Sequence, residues 1–178
     1  MRKRLNEELG RLSVEDFRHA EKLPLVIVLD NVRSQNNIGS VFRTADAFRV
    51  EALYLCGITA IPPHREIHKT ALGATESVSW SYREETLSLL TELKARGYVL
   101  YAVEQAEGSL KLEELKPKTG EKMALVFGHE IRGVDQEVVD ACDYALEIPQ
   151  FGTKHSLNIA VAAGIVVWEA FRSLSPAF

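Results

Sequence analysis

Only two cysteines, Cys56 and Cys142, occur among the 178 residues, and neither lies in a C-x-x-C or Cys/His ligand spacing. A disulfide framework and a zinc ribbon are therefore excluded, and buried thiols in a reducing compartment are expected. No apolar run approaches the ~20 residues that span a bilayer; the longest, Ile159 to Trp168, falls far short. Met1-Arg2-Lys3-Arg4 is basic, but a polar, helix-like segment follows it rather than an apolar one, so it does not read as a signal peptide. A cytoplasmic protein with no membrane association is expected. Positive charge is not in excess either: the formal net charge is −4. That argues against an indiscriminate nucleic-acid coat, although a charge sum does not locate a basic patch. Glycine and proline are ordinary in number, and there are no repeats or low-complexity tracts. The sequence also lacks G-x-G-x-x-G, G-K-[ST] and G-x-S-x-G, which removes the fingerprints of dinucleotide folds, P-loops and nucleophile elbows.

What is present is an alternation of apolar runs and amphipathic segments. Short strand-like runs fall at 25–29, 52–55, 98–103, 123–127 and 144–148. Helical periodicity covers 38–48, 84–96, 135–141 and 157–174, with Gly97 as a stop signal after the second. This pattern predicts an α/β fold, a mostly parallel sheet flanked by helices, in a single domain over 1–178. Leu5, Leu9, Leu12 and Phe17 suggest a short N-terminal helical extension over about 1–24. The longest loop candidate is 105–120. The last helix is apolar all round, so part of its burial is expected to come from a second copy of the chain.

Three polar loops leave predicted strands on the edge where open α/β sheets bind ligands. They are Asp30 to Ser40, Gly128 to Gly133 and Pro149 to Asn158. Taken singly, each has a plain structural reading: Asn36-Asn37 and Ser156 as helix caps, Gly128 and Gly133 as turn glycines, Arg43 and Glu130 as solvated charges. Taken together, they make a candidate site. His64 and His68 are four apart after Pro62-Pro63, where a helix start is plausible, but two ligands are too few for a metal centre. No metal is expected.

Asn37-Ile38-Gly39-Ser40-Val41-Phe42-Arg43-Thr44-Ala45-Asp46-Ala47-Phe48 resembles the first motif of the SpoU/TrmH branch of the SPOUT methyltransferases. Leu125-Val126-Phe127-Gly128-His129-Glu130-Ile131-Arg132-Gly133-Val134 resembles the second. Ile148-Pro149-Gln150 through Ser156-Leu157-Asn158-Ile159-Ala160-Val161-Ala162-Ala163 resembles the third. The match extends from about Leu25 to Phe171, with all three motifs in order.

The resemblance implies a C-terminal deep trefoil knot and a homodimer. It implies S-adenosylmethionine held by backbone near Val103, Gly128, Ile148 and Leu157, without a metal. The activity implied is 2′-O-methylation of a ribose in tRNA or rRNA. Arg43 would be the principal catalytic residue and Asn37 would orient Arg43 or the ribose. Glu130, Ser156 and Asn158 would fix the loops around donor and target. Arg33, Lys69, Arg132, Lys154 and His155 are candidate phosphate contacts; the segment from Lys69 to Ala74 is a weaker family match. Two alternatives stand beside this reading: a catalytically idle RNA-binding module of the same fold, and a methyltransferase acting on something other than RNA.

Overall fold

Leu25-Val26-Ile27-Val28-Leu29 is an unbroken apolar run because the strand it forms is covered on both faces. In the computed structural model, which describes residues 1–174, these five side chains are completely buried. Leu25, Ile27 and Leu29 enter one hydrophobic cluster, and Val26 and Val28 enter another on the opposite face. Alternation of side chains across a strand, applied to a strand buried twice, produces this pattern.

The strands are β1 (Leu23–Asp30), β2 (Val50–Cys56), β3 (Trp80–Arg83), β4 (Tyr98–Val103), β5 (Leu110–Lys111), β6 (Lys122–Phe127) and β7 (Tyr144–Glu147). They form one sheet in the order β3-β2-β1-β6-β4-β7-β5, and every pairing is parallel. The helices are α1 (Val14–His19), α2 (Gln35–Ala47), α3 (Arg65–Ala71), α4 (Ala74–Ser77), α5 (Thr86–Ala95), α6 (Gln136–Ala141) and α7 (Ile159–Leu174). Buried side chains of α2, α3 and α7 share the first cluster, and those of α5 and α6 share the second. The expected α/β fold with a parallel sheet is therefore the observed one. No helix among the described residues is long and apolar enough to cross a membrane.

Several local expectations change. The N-terminal extension is not one helix: a 3-10 turn at Asn6–Leu9 ends at Gly10, whose φ of 58° breaks it, and Ser13 then caps α1. Leu5, Leu9 and Leu12 are exposed, and Phe17 alone of the four is core. Segment 105–120 is not a plain loop. It adds β5 at the sheet edge, and Leu112 and Leu115 reach the core to hold it there. β3 and α4 were not legible, being four residues each without an apolar run. His64 serves as a cap: its Nδ1 accepts the Glu66 N–H at 3.3 Å and starts α3. Cys56 is buried and Cys142 partly so; both thiols are unpaired, and burial pushes each up to about 12.

One glycine fixes a helix contact that the site depends on. A Cβ on Gly39 would collide with the Thr70 hydroxyl and the Ile67 carbonyl. Gly39 thus lets α2 and α3 approach backbone to backbone, with Thr70 Oγ1 donating to the Asn36 carbonyl at 3.0 Å.

Candidate active site

The ends of β4, β6 and β7 open onto one cleft of about 450 Å³. Val103, Phe127, Leu146, Ile148, Leu157 and Ile159 supply its apolar lining, and the loops after β6 and β7 supply its polar rim. A volume of this order, apolar with a few convergent polar groups, suits one small organic ligand.

Glu130 ties the three loops together. One carboxylate oxygen accepts the Ser34 N–H at 2.8 Å and the Asn37 side-chain amide at 3.3 Å; the other accepts the Arg33 N–H at 3.1 Å. Asn37 Oδ1 in turn accepts the Asn158 amide at 3.1 Å, while Asn158 Oδ1 caps α7 by accepting the Ala160 N–H at 2.9 Å. A chain Glu130–Asn37–Asn158 therefore crosses from the second loop to the first to the third. Burial alone would raise the Glu130 carboxyl. The donors from Ser34 and Arg33 outweigh it and hold the group below the usual carboxylate range.

The loop after β6 is a tight turn. His129 and Gly133 exchange backbone hydrogen bonds at 2.9 and 2.8 Å, and Gly133 has φ 69°. A Cβ on Gly128 would strike the Gly133 backbone, so only glycine lets the turn close on itself there. Glu104, just past β4, accepts the Val134 N–H and the Gln105 N–H, both at 2.9 Å. Gln105 donates to the His155 carbonyl at 2.8 Å, which tethers the third loop from its far side. Glu104 and Gln105 were absent from the candidates drawn from sequence. Their signal was positional, since they immediately follow a strand on the ligand-binding edge.

The structure sorts the expected residues. Val103, Gly128, Ile148 and Leu157, expected near the methyl donor, all line the cleft, as do Glu130, Ser156, Asn158, Arg132 and His155. Ser156 is exposed and caps no helix. Asn36-Asn37 does not cap α2 either; Ser34 does, accepting the Asn37 N–H. Arg33 touches the site through its backbone and leaves its guanidinium in solvent, while Lys154 and Lys69 are exposed outside the cleft.

Arg43 does not line this cleft. It is exposed on α2 and opens onto a second cleft of about 470 Å³, between α2, the N-terminal segment and the turn at Leu72-Gly73. Asn37, expected to orient Arg43 or the ribose, does not meet Arg43 within this chain: both ends of its amide are committed to Glu130 and Asn158, and the Arg43 side chain has no hydrogen-bond partner among the described residues.

This fold and loop arrangement is that of a known class. The sequence profile of the SpoU rRNA Methylase family matches residues 24–168, and the chain belongs to that family. It is 34% identical over 152 residues to the 23S rRNA (guanosine-2′-O-)-methyltransferase RlmB of Nitrosomonas europaea, covering 85% of this chain and 57% of that one. The AdoMet-bound rRNA methyltransferase of Sinorhizobium meliloti superimposes with a TM-score of 0.80 at 29% identity, over 89% of this chain and 60% of that one. The A. aeolicus TrmH/SpoU tRNA modifying enzyme gives 0.79 at 28%, over 90% and 81%. The chain spans about 60% of the length of the curated relatives that it matches.

Proposed function

We propose that this protein is an S-adenosylmethionine-dependent methyltransferase that modifies a ribose 2′-hydroxyl of tRNA or rRNA. The Glu130–Asn37–Asn158 chain carries the reading, because it assembles the three family motifs around one ligand-sized cleft. The residues present fit the donor: Gly128 lets the loop after β6 fold back on Gly133 beside the cleft, and apolar side chains line the rest. Val103, Gly128, Ile148 and Leu157 would hold it. S-adenosylmethionine supplies an electrophilic methyl group on its sulfonium.

The protein's own task is then to align a poor nucleophile and to stabilise the charge that develops on its oxygen. Glu130 and Asn37 act as positioning residues that fix the loop walls. Arg43 is the group assigned to the ribose. A guanidinium resists deprotonation in proteins, so it serves as a clamp on the neighbouring phosphate and the forming alkoxide; the proton leaves to phosphate or water.

Arg43 and the donor cleft lie apart within one chain, which points to a homodimer that completes the site. Val161, Ile165 and Trp168 follow one another at helical spacing on α7, and all three are exposed. Asn36, Arg43 and Ala47 fall on one stripe of α2 and are likewise exposed. A second copy covering α7 would bring an Arg43 face to each donor cleft. The crossing of the chain from β7 into α7, which packs on α2 and β1, is the segment we assign to the trefoil knot. Residence in the cytoplasm is inferred with the substrate.

The test is transfer of labelled methyl groups to bulk RNA by the wild type and by Arg43→Lys, with sedimentation of wild type and Ile165→Glu. We expect transfer to ribose, a loss of about a hundredfold in Arg43→Lys, and a dimer that Ile165→Glu dissociates. Donor binding without transfer to any RNA would favour the idle module. Near-full turnover in Arg43→Lys would remove the clamp.

A further inference from the structure

The cleft that holds Arg43 is unusual in its charges. Five of the twelve arginines form ion pairs: Arg2 with Glu8, Arg65 with Glu66, Arg83 with Glu92, Arg96 with Glu51 and Glu92, Arg172 with Glu169. Arg11, Arg43 and Arg49 all line the cleft, and among the described residues none of their side chains forms a salt bridge or hydrogen bond. Two more cations flank them. Arg18 donates to the Glu76 carbonyl at 2.7 Å, and Lys22 lies near enough to Arg49 and Asp46 to sense both charges. Within the lining, the three arginines face two carboxylates, Asp46, which takes the Ser77 hydroxyl, and Glu76 at the rim; Asp16 flanks the cleft through its bond to Ser13.

The wall that carries Arg11 is held in place. Ser13 caps α1, Phe17 is buried in the main core, and the Arg18 contact fastens α1 to α4. Segment 9–14 is thereby fixed as one side of the cleft rather than trailing from the domain. Arg43 and Arg49 stand on either side of the last turn of α2, at least about 6 Å apart along its axis. That spacing serves a run of phosphates better than one converged anion.

We propose that this cleft seats the RNA sugar–phosphate backbone beside the reacting ribose, with Arg11 and Arg49 as phosphate contacts and the N-terminal segment as a wall of the track. The assignment rests on the reading of the protein as an RNA methyltransferase and of Arg43 as the residue that meets the ribose. It explains why cations on a net-negative chain stay unpaired here: each can exchange small counterions for a phosphate, and the released ions drive binding.

The experiment compares the full-length wild type with an Arg11→Ala/Arg49→Ala double variant and a charge-matched control, Lys116→Ala/Lys118→Ala, whose lysines are exposed on the far segment after β5. RNA binding is measured by fluorescence anisotropy with bulk tRNA and rRNA fragments across a salt series. S-adenosylmethionine binding is measured by calorimetry and labelled methyl transfer by scintillation counting. We expect the arginine variant to bind RNA about tenfold more weakly, with a slope of log affinity against log salt smaller by about 1 to 2, and to bind the donor unchanged. Arg11→Lys/Arg49→Lys should recover most of the affinity, and the lysine control should match the wild type. RNA affinity and salt slope within twofold of wild type in the arginine variant would overturn the assignment. A wild type that neither binds nor methylates RNA would instead overturn the functional reading beneath it.

Discussion

The two clefts commit their polar groups in opposite ways. At the strand ends, the side chains of Glu130, Asn37, Asn158 and Glu104 each bond to another loop, and Gln105 holds the third loop from outside. Beside α2, the side chains of Arg11, Arg43 and Arg49 have no hydrogen-bond or ion-pair partner among the described residues. A small ligand gains most from walls that need no reordering, so its site is built in advance. A polyanion gains from cations that are free to exchange counterions, which is what the proposed RNA track offers. The same chain thus ties the loops of one cleft together through their side chains and leaves three guanidiniums of the other without a protein partner.

The largest effect should come from the tightest point of the first cleft. Gly128→Ala places a methyl against the Gly133 backbone. Overpacking of this kind costs about 2–3 kcal/mol, and donor affinity should fall by about a hundredfold. Urea denaturation and titration calorimetry would show it; wild-type donor affinity in this variant would mean that the turn does not shape the site.

A smaller effect is expected at Glu130. Glu130→Gln turns an amide toward backbone donors and should cost about 1–2 kcal/mol at pH 7. The sign of the pH dependence follows from the lowered carboxyl. A group held below its unfolded value stabilises above that value, near ~4.3 for glutamate, and the benefit is lost as pH falls through the folded value. The gap between wild type and Glu130→Gln should therefore narrow from pH 7 to pH 3.5 in denaturation midpoints. An unchanged gap would show that the ionised carboxylate is not what holds the loops.

The smallest effect separates backbone from side chain. Arg33 meets Glu130 only through its N–H. Arg33→Ala should leave donor binding within twofold of wild type and weaken RNA binding about threefold, as one phosphate contact would. A collapse of donor affinity would blur the distinction between the clefts.

Much of this molecule was legible before folding, for reasons visible in particular residues. Val26 and Val28 alternate with Leu25, Ile27 and Leu29, and such a doubly apolar run has few homes but the centre of a parallel sheet. Gly97 after the leucine face of α5 marked that helix's end. Gly128, Ile148 and Leu157 lie within the motifs read from sequence, and they line the cleft at the strand ends together with Val103, the last residue of β4. The rest was hidden where short elements borrow their stability. β3 exists because Leu53 and Leu55 of β2 offer it a register opposite Trp80 and Tyr82, not because Trp-Ser-Tyr-Arg insists on a strand. The N-terminal helix broke because Gly10 adopts φ 58° and Ser13 restarts the chain.

Local chemistry in the sequence therefore marked five of the seven strands, the sheet edge where the three polar loops gather, and the side chains that carry the motifs. Only the tertiary structure decided which of those side chains meet. Asn37 and Arg43 lie six residues apart on one helix, yet the helical twist and the different neighbours of α2 send the first to Glu130 and Asn158. They leave the second in an open cleft with Arg11 and Arg49. Spacing along a chain sets a helical phase; what waits at that phase is set by packing, which no single segment encodes.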